Sequence, residues 1–312
     1  MPSRAVPRYR RIGVIALREW EVMVRTRTFV AVSLMVPATM IGMAMLPAFI
    51  LRRQGLQEPD RNLPTSPFMI GLLLDIFLFL GISSQSQSLL RSVLEERGNR
   101  MLEILLSSIR PLELLLGKLI GYAMIALTQL GVWILAALML SSAIGLPFAF
   151  RFFHALGWHA LPLFLACYAV GYLLYGSLYA IVAAVIGAER EAILYQQLLA
   201  ILLVLPFVMT VALGTNPHDP LALQLTWVPL MTPTVVLLRW AYHAISTAEI
   251  IGALGLAGLA AVGALLVAAR LFQGSTLLAL RKTSWRAAWN ARPVPPRAIP
   301  PARSTRGPLP DR

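Results

Sequence analysis

The sequence predicts an all-α integral membrane protein: six transmembrane helices, an interfacial amphipathic helix before the first span and a cytoplasmic amphipathic helix after the second. Three observations predict it. Of the 312 residues, 58% are apolar before the 21 glycines are counted, well above the roughly 45–50% of a soluble domain with glycine included. Only 13% are charged, too few to cover a water-soluble globule, which excludes a soluble enzyme. The apolar residues also gather into six runs of 22 to 27 residues, each at least about 33 Å long as a helix against a hydrocarbon core of roughly 30 Å.

Residues 1–28 form the N-terminal segment. On a helical wheel from Arg11 to Arg27, Ile12, Ala16, Leu17, Trp20, Met23 and Val24 share one arc with Gly13, while Arg11, Arg18 and Arg25 line the other side. The pattern predicts a helix in the membrane interface, with Trp20 at headgroup depth and the arginines toward phosphate and water. A helix packed on a partner subunit fits the same wheel. The first span, Phe29 to Ile50, exceeds the 7–15-residue core of a cleaved signal and is expected to remain as an anchor. The connection Leu51 to Pro67 is short and polar, with three prolines.

The second span, Phe68 to Leu90, contains Asp75, the one acid well inside a run. Insertion scales put an aspartate at the bilayer centre at roughly +2.5 to +3.5 kcal/mol, less toward the interface, so Asp75 is expected to face other helices or a wet cavity. A polar contact in an exit path and an acid bonded to a neighbouring helix both fit. Ser83 to Ser88 (S-S-Q-S-Q-S) fit a polar cavity wall or a wet helix end. The cytoplasmic segment 91–118 contains a second amphipathic wheel: Glu95, Glu96, Asn99, Arg100, Glu103, Ser107 and Arg110 on one arc, Leu94, Met101, Leu102 and Leu105 on another. Pro111 ends that helix by removing a donor and disfavouring helical geometry at Arg110. A solvated connector would show the same wheel.

The third span is Leu119 to Leu140, and Gly117 and Gly121 just before and within it have the spacing that lets helices approach closely. The fourth, Ala160 to Ile186, carries Tyr168, Tyr172, Tyr175 and Tyr179 on one face. They line a translocation path, or pack between helices with their hydroxyls on neighbouring backbones. The single cysteine, Cys167, excludes an intrachain disulfide and a cysteine-cluster metal site. The fifth span is Ala192 to Leu213. Segment 214–247 holds Pro217, Pro220, Pro229 and Pro233 among apolar residues, and is read as one or two short helices dipping into the outer leaflet under cover of the spans. The sixth span is Ala248 to Ala269, completing a transmembrane domain over 29–280. Residues 281–312, with seven prolines and eight Lys or Arg, are expected to be a disordered basic tail.

Basic residues orient the chain. With six spans, one side receives 22 Lys or Arg and the other 5, so both termini are expected in the cytoplasm by the positive-inside rule. The formal charge of +13 is therefore a topology signal that also attracts anionic lipid, and no nucleic acid is needed to account for it.

Glu95 and Glu96, then Arg100, Glu103, Leu105, Leu106 and Ser107, then Pro111, Gly117 and Lys118 resemble the membrane-spanning permease subunits of ABC type 2 exporters, in their NatB-like and drug-efflux branch. Arg18-Glu19 before the first span, Pro233 and Arg239 in the broken segment, and Arg270 with Phe272 after the last agree with it, and the resemblance covers about residues 11 to 282. It implies that the segment after the second span is a gate and coupling helix that meets an ATPase. It also implies dimerisation with a like or related chain, two ATP-binding subunits, and efflux across the cell inner membrane. One departure is that sodium-efflux relatives commonly carry a large outside domain where this chain has Leu51 to Pro67.

No phosphate-binding loop accompanies Gly117-Lys118, since Leu119 follows and no glycine precedes at the required spacing. ATP and Mg are thus expected on the partner, with no cofactor on this chain and no catalytic residue of its own. The four histidines show no metal-ligand spacing. The rival reading is an ion- or proton-coupled secondary transporter, which would usually show repeated broken helices and midplane charges.

Overall fold

A computed structural model describes residues 8–27, 29–31, 33–35, 38–39, 67–98, 111–143, 154, 156–157, 159–186, 189–214 and 216–277. The described residues are helical and contain no strand. Eight helices follow in order: α1 (Arg8–Val24), α2 (Pro67–Gly98), α3 (Pro111–Ala143), α4 (Ala160–Val185), α5 (Glu189–Leu213), α6 (Pro220–Thr226), α7 (Thr232–Ala241) and α8 (Thr247–Leu277). Five of them, α2, α3, α4, α5 and α8, are long and apolar enough to cross a membrane. Of the predicted first span, only eight residues between 29 and 39 are described, and those are helical. The rest of the first span, the connection Leu51 to Pro67 up to residue 66, residues 99–110 and the tail 281–312 lie outside the described residues.

The helices α2 and α3 are 32 and 33 residues long, about 48 and 50 Å, and so exceed the roughly 30 Å of hydrocarbon. The expected end of the second span at Leu90 is passed without a break. The charged run R-S-V-L-E-E-R-G stops the hydropathy but contains no proline and no glycine before its last residue, so the helix continues to Gly98. Glu95 and Glu96 accordingly sit on the last turns of α2. Pro111 opens α3, a position where a missing N–H costs nothing.

At the centre is α4, packed most broadly against α8 and then α2. Buried alanines at 253, 257, 261 and 268 give α8 a small-residue face, which suits close approach where no hydrophobic force separates helix from lipid. The short helix α7 is wedged among α2, α4 and α5. A Cβ at Gly71 would lie 3.2 Å from the Leu238 Cα, and one at Gly171 would lie 3.2 Å from Pro233 Cγ. Both glycines therefore open the space that the wedge fills. Asp219 starts α6 by accepting from Leu221 N–H at 2.8 Å, with Pro220 at the first helical position. Ser246 and Glu249 form a reciprocal capping box at the start of α8, at 3.1 and 3.3 Å.

Arg239 is 2% exposed inside this wedge. It donates to Thr226 Oγ1 at 3.0 Å and to the Ala244 carbonyl at 2.7 Å, and lies 3.6 Å from Glu249. One buried guanidinium thus ties α6, the turn after α7 and the start of α8.

Candidate functional site

Apart from the Arg239 cluster of the wedge, the buried polar groups among the described residues fall into two places: a junction where α1, α2 and α3 meet, and scattered side chains deeper between the spans.

At the junction, α1 lies along α3 with both chains running the same way. Arg11 is 4.0 Å from Glu113, a Cβ at Gly117 would lie 2.7 Å from Ile15, one at Gly121 would lie 2.9 Å from the Ala16 carbonyl, and Trp20 Nε1 donates to Thr128 Oγ1 at 3.0 Å. Most of the apolar arc of α1 therefore meets α3, with Ala16 buried, but Leu17 of that arc is exposed, as are Val14 and Val22. The two glycines are what permits this: any side chain there would strike the backbone or a β-branched neighbour.

Lys118 stands between those glycines and is 0% exposed. Its Nζ is 2.8 Å from Glu19 Oε1, 2.9 Å from Glu96 Oε1 and 2.6 Å from Ser92 Oγ. Of the predicted coupling residues, the structure brings Glu96 here, leaves Glu95 exposed on the other side of the turn and begins α3 at Pro111. Arg100, Glu103, Leu105, Leu106 and Ser107 lie outside the described residues. Of the predicted interfacial residues, Glu19 and Trp20 join α3 and Arg18 is exposed.

Deeper in the bundle, α2 is held on both flanks by amide pairs. Gln85 donates to Gln129 of α3 at 3.0 Å, and Gln196 of α5 donates to Gln87 at 2.9 Å. These two pairs account for the glutamines in the S-S-Q-S-Q-S run. Asp75 is 0% exposed, and neither carboxylate oxygen makes a hydrogen bond among the described residues. Thr210 of α5 faces it, but that hydroxyl donates to the Pro206 carbonyl at 3.2 Å. Tyr175 also lies near Asp75.

The four tyrosines are all buried. Tyr168 and Tyr172 stack with ring centroids 5.8 Å apart and planes 3° from parallel. Only Tyr175 bonds neighbouring backbones, lying 3.1 Å from the Leu230 carbonyl and 3.4 Å from that of Leu202. The hydroxyls of Tyr168, Tyr172 and Tyr179 have no partner among the described residues. A small crevice between α2, α3 and α4 is lined by Tyr168 with Phe77, Gly81, Gln129, Trp133 and Phe164. It carries no charged side chain. Of the four tyrosines only Tyr168 is among its walls, and Asp75 is not.

Sequence reasoning missed Lys118 as a hub and the two glutamine pairs. The signal for the lysine was available, since a lone cation between two glycines in an apolar run needs an acid from elsewhere. Among the described residues no group of three or more His, Cys, Asp or Glu is arranged to hold a metal ion.

Residues 51–270 match the family described as ABC-2 family transporter protein, which is well over half of the chain. An uncharacterized protein of Methanocaldococcus jannaschii is 28% identical over 201 residues, covering 64% of this chain and 48% of the relative. The chain thus spans about half the length of the curated relative it matches. No solved structure matches.

Proposed function

Because the chain belongs to the ABC-2 transporter family, we propose that it is the transmembrane permease subunit of an ATP-driven exporter, moving its substrate outward across the cytoplasmic membrane. ATP and Mg are bound and hydrolysed on two copies of a separate ABC ATP-binding subunit. A second permease chain, identical or related, completes the pore, and both termini face the cytoplasm. The family match over residues 51–270 carries this reading, and the five long apolar helices support it. The segment between α2 and α3 is the ATPase-facing element, with Glu95, Glu96, Arg100, Glu103, Leu105, Leu106, Ser107 and Pro111 along it. The NatB-like branch remains part of the proposal for architecture, with the passenger left open. Asp75, a buried acid without a partner, favours a second reading as an ion- or proton-coupled secondary transporter.

The test is co-purification with the ABC ATPase encoded nearest to this chain, followed by ATP hydrolysis in lipid nanodiscs. A stable complex whose hydrolysis depends on the permease is the expected result. Glu103→Arg and Leu105→Asp should each impair stimulated hydrolysis while the chain still reaches the membrane. Transport driven by an ion gradient with no ATPase bound would overturn the exporter reading in favour of the second.

A further inference from the structure

The crevice between α2, α3 and α4 sets hydrogen-bond donors that no described residue meets beside an apolar wall. Phe77 and Trp133 stand 5.7 Å apart by ring centroid, and Phe164 extends the aromatic side. The indole N–H of Trp133 and the hydroxyl of Tyr168 are buried without a partner among the described residues. Gln129 accepts from Gln85 through its amide oxygen at 3.0 Å, and its own amide N–H groups have no described partner. Three donor groups thus line one crevice, and a buried donor left unmet is costly.

Depth, size and charge define the acceptor that would meet them. Phe77 is ten residues into α2 and Tyr168 eight into α4, about 15 and 12 Å along the two helices. Both lie near the middle of a hydrocarbon core of roughly 30 Å, away from lipid headgroups. Space for about one water-sized group is free, so only the tip of a larger molecule enters. The helices α3 and α4 touch lightly, and Leu127 and Leu161 beside the crevice are exposed, which leaves the hydrocarbon side for the body of that molecule. With no charged side chain on the wall, an ion would meet no compensating charge. A water would bring two protons of its own, whereas the acceptors there are the Tyr168 oxygen and an amide oxygen already engaged by Gln85. We infer that the crevice binds an uncharged, largely apolar molecule by one carbonyl or ether oxygen, which accepts from this set of donors. The site is a property of the chain alone and does not rest on the permease reading.

Photolabelling of the full chain in nanodiscs with benzophenone, an uncharged diaryl ketone, tests it. Label should saturate and concentrate on the peptides of α2, α3 and α4 that carry Phe77, Trp133 and Phe164. Fluorenone should compete about tenfold better than fluorene, the same rings without the oxygen, since one or two hydrogen bonds separate them. Trp133→Phe/Tyr168→Phe removes two donors and no bond made within the described chain, so it should fold as the wild type does, bind fluorene unchanged and lose the tenfold preference. Equal competition by the two compounds in the wild type, a preference that survives in the double variant, or label spread evenly over the lipid-facing positions of α5 and α8 would each overturn the inference. Stimulation of a bound ATPase by fluorenone in the wild type alone would mark the ligand as the passenger, and binding without stimulation would mark it as a resident of the bilayer; the site stands in both cases. If no ATPase binds the chain, the permease reading fails and the photolabelling still decides the crevice.

Discussion

Replacing Asp75 by leucine should make the protein more stable, an unusual expectation for a change at a fully buried position. The carboxylate is 0% exposed and neither oxygen has a hydrogen-bond partner among the described residues. It sits eight residues into α2, about 12 Å along the helix axis from Pro67. A central aspartate costs roughly 2.5–3.5 kcal/mol on insertion scales and a leucine gains about 0.5. Allowing for a position off the midplane, Asp75→Leu should gain about 2–3 kcal/mol, or roughly 30- to 150-fold in the unfolding equilibrium. Asp75→Asn keeps a polar group in the same apolar surroundings and should change stability by less than about 1 kcal/mol. The assay is reversible unfolding in mixed micelles followed by tryptophan fluorescence, run beside transport in vesicles. If Asp75 serves the exit path, Asn should alter transport rate or preference with the fold intact, and Leu should stop transport in a protein more stable than wild type. A destabilised Leu variant would refute the reasoning, since it would show that the acid is held by a bond within the bilayer.

Gly121→Val places a side chain 2.9 Å from the Ala16 carbonyl and from Glu19 Cβ. It should cost about 1–3 kcal/mol as overpacking, seen as faster hydrogen exchange in α1 with α4 and α8 unchanged; equal exchange would mean that α1 tolerates a looser seat. Arg239→Met should lower thermal stability by about 2–4 kcal/mol, because two charge-assisted bonds and an ion pair are lost. Glu249→Gln, at a side chain 39% exposed, should cost under about 1 kcal/mol, and similar losses in the two variants would show that the ion pair rather than the guanidinium's own bonds dominates. In a Cys167→Ala background, single cysteines near Glu103 should label only from the inside and those at Asp60 and Pro220 only from the outside. Outside labelling near Glu103 would end the six-span topology.

What the sequence made legible was what one dimension can carry. Long apolar runs announce helices because hydrocarbon leaves the backbone no other partner, and the prolines of 214–247 mark a segment too broken to span. The limits fall where the sequence changes solvent without changing conformation. Leu90 ends the apolar run, but nothing there breaks a helix, so α2 runs eight residues further and carries Glu95 and Glu96 with it. The wheel of α1 shows an apolar arc without showing whether lipid or α3 meets it; Gly117 and Gly121 decide, and they are about a hundred residues away. Lys118 and Glu19 are joined across 99 positions, a distance no local pattern spans. The tyrosine stripe was visible as a face, but which hydroxyl would find a carbonyl depended on a proline in another helix.

That proline is Pro206, within α5. It has no N–H, so the Leu202 carbonyl one turn earlier loses its helical donor in a region with no water to replace it. The Tyr175 hydroxyl stands 3.4 Å from that oxygen and 3.1 Å from the carbonyl of Leu230, just ahead of α7. A hydroxyl has one proton, and two acceptors compete for it. The one hydroxyl of Tyr175 thus joins three pieces of chain, α4 that carries it, the break its neighbour's proline leaves in α5, and the approach to the wedge.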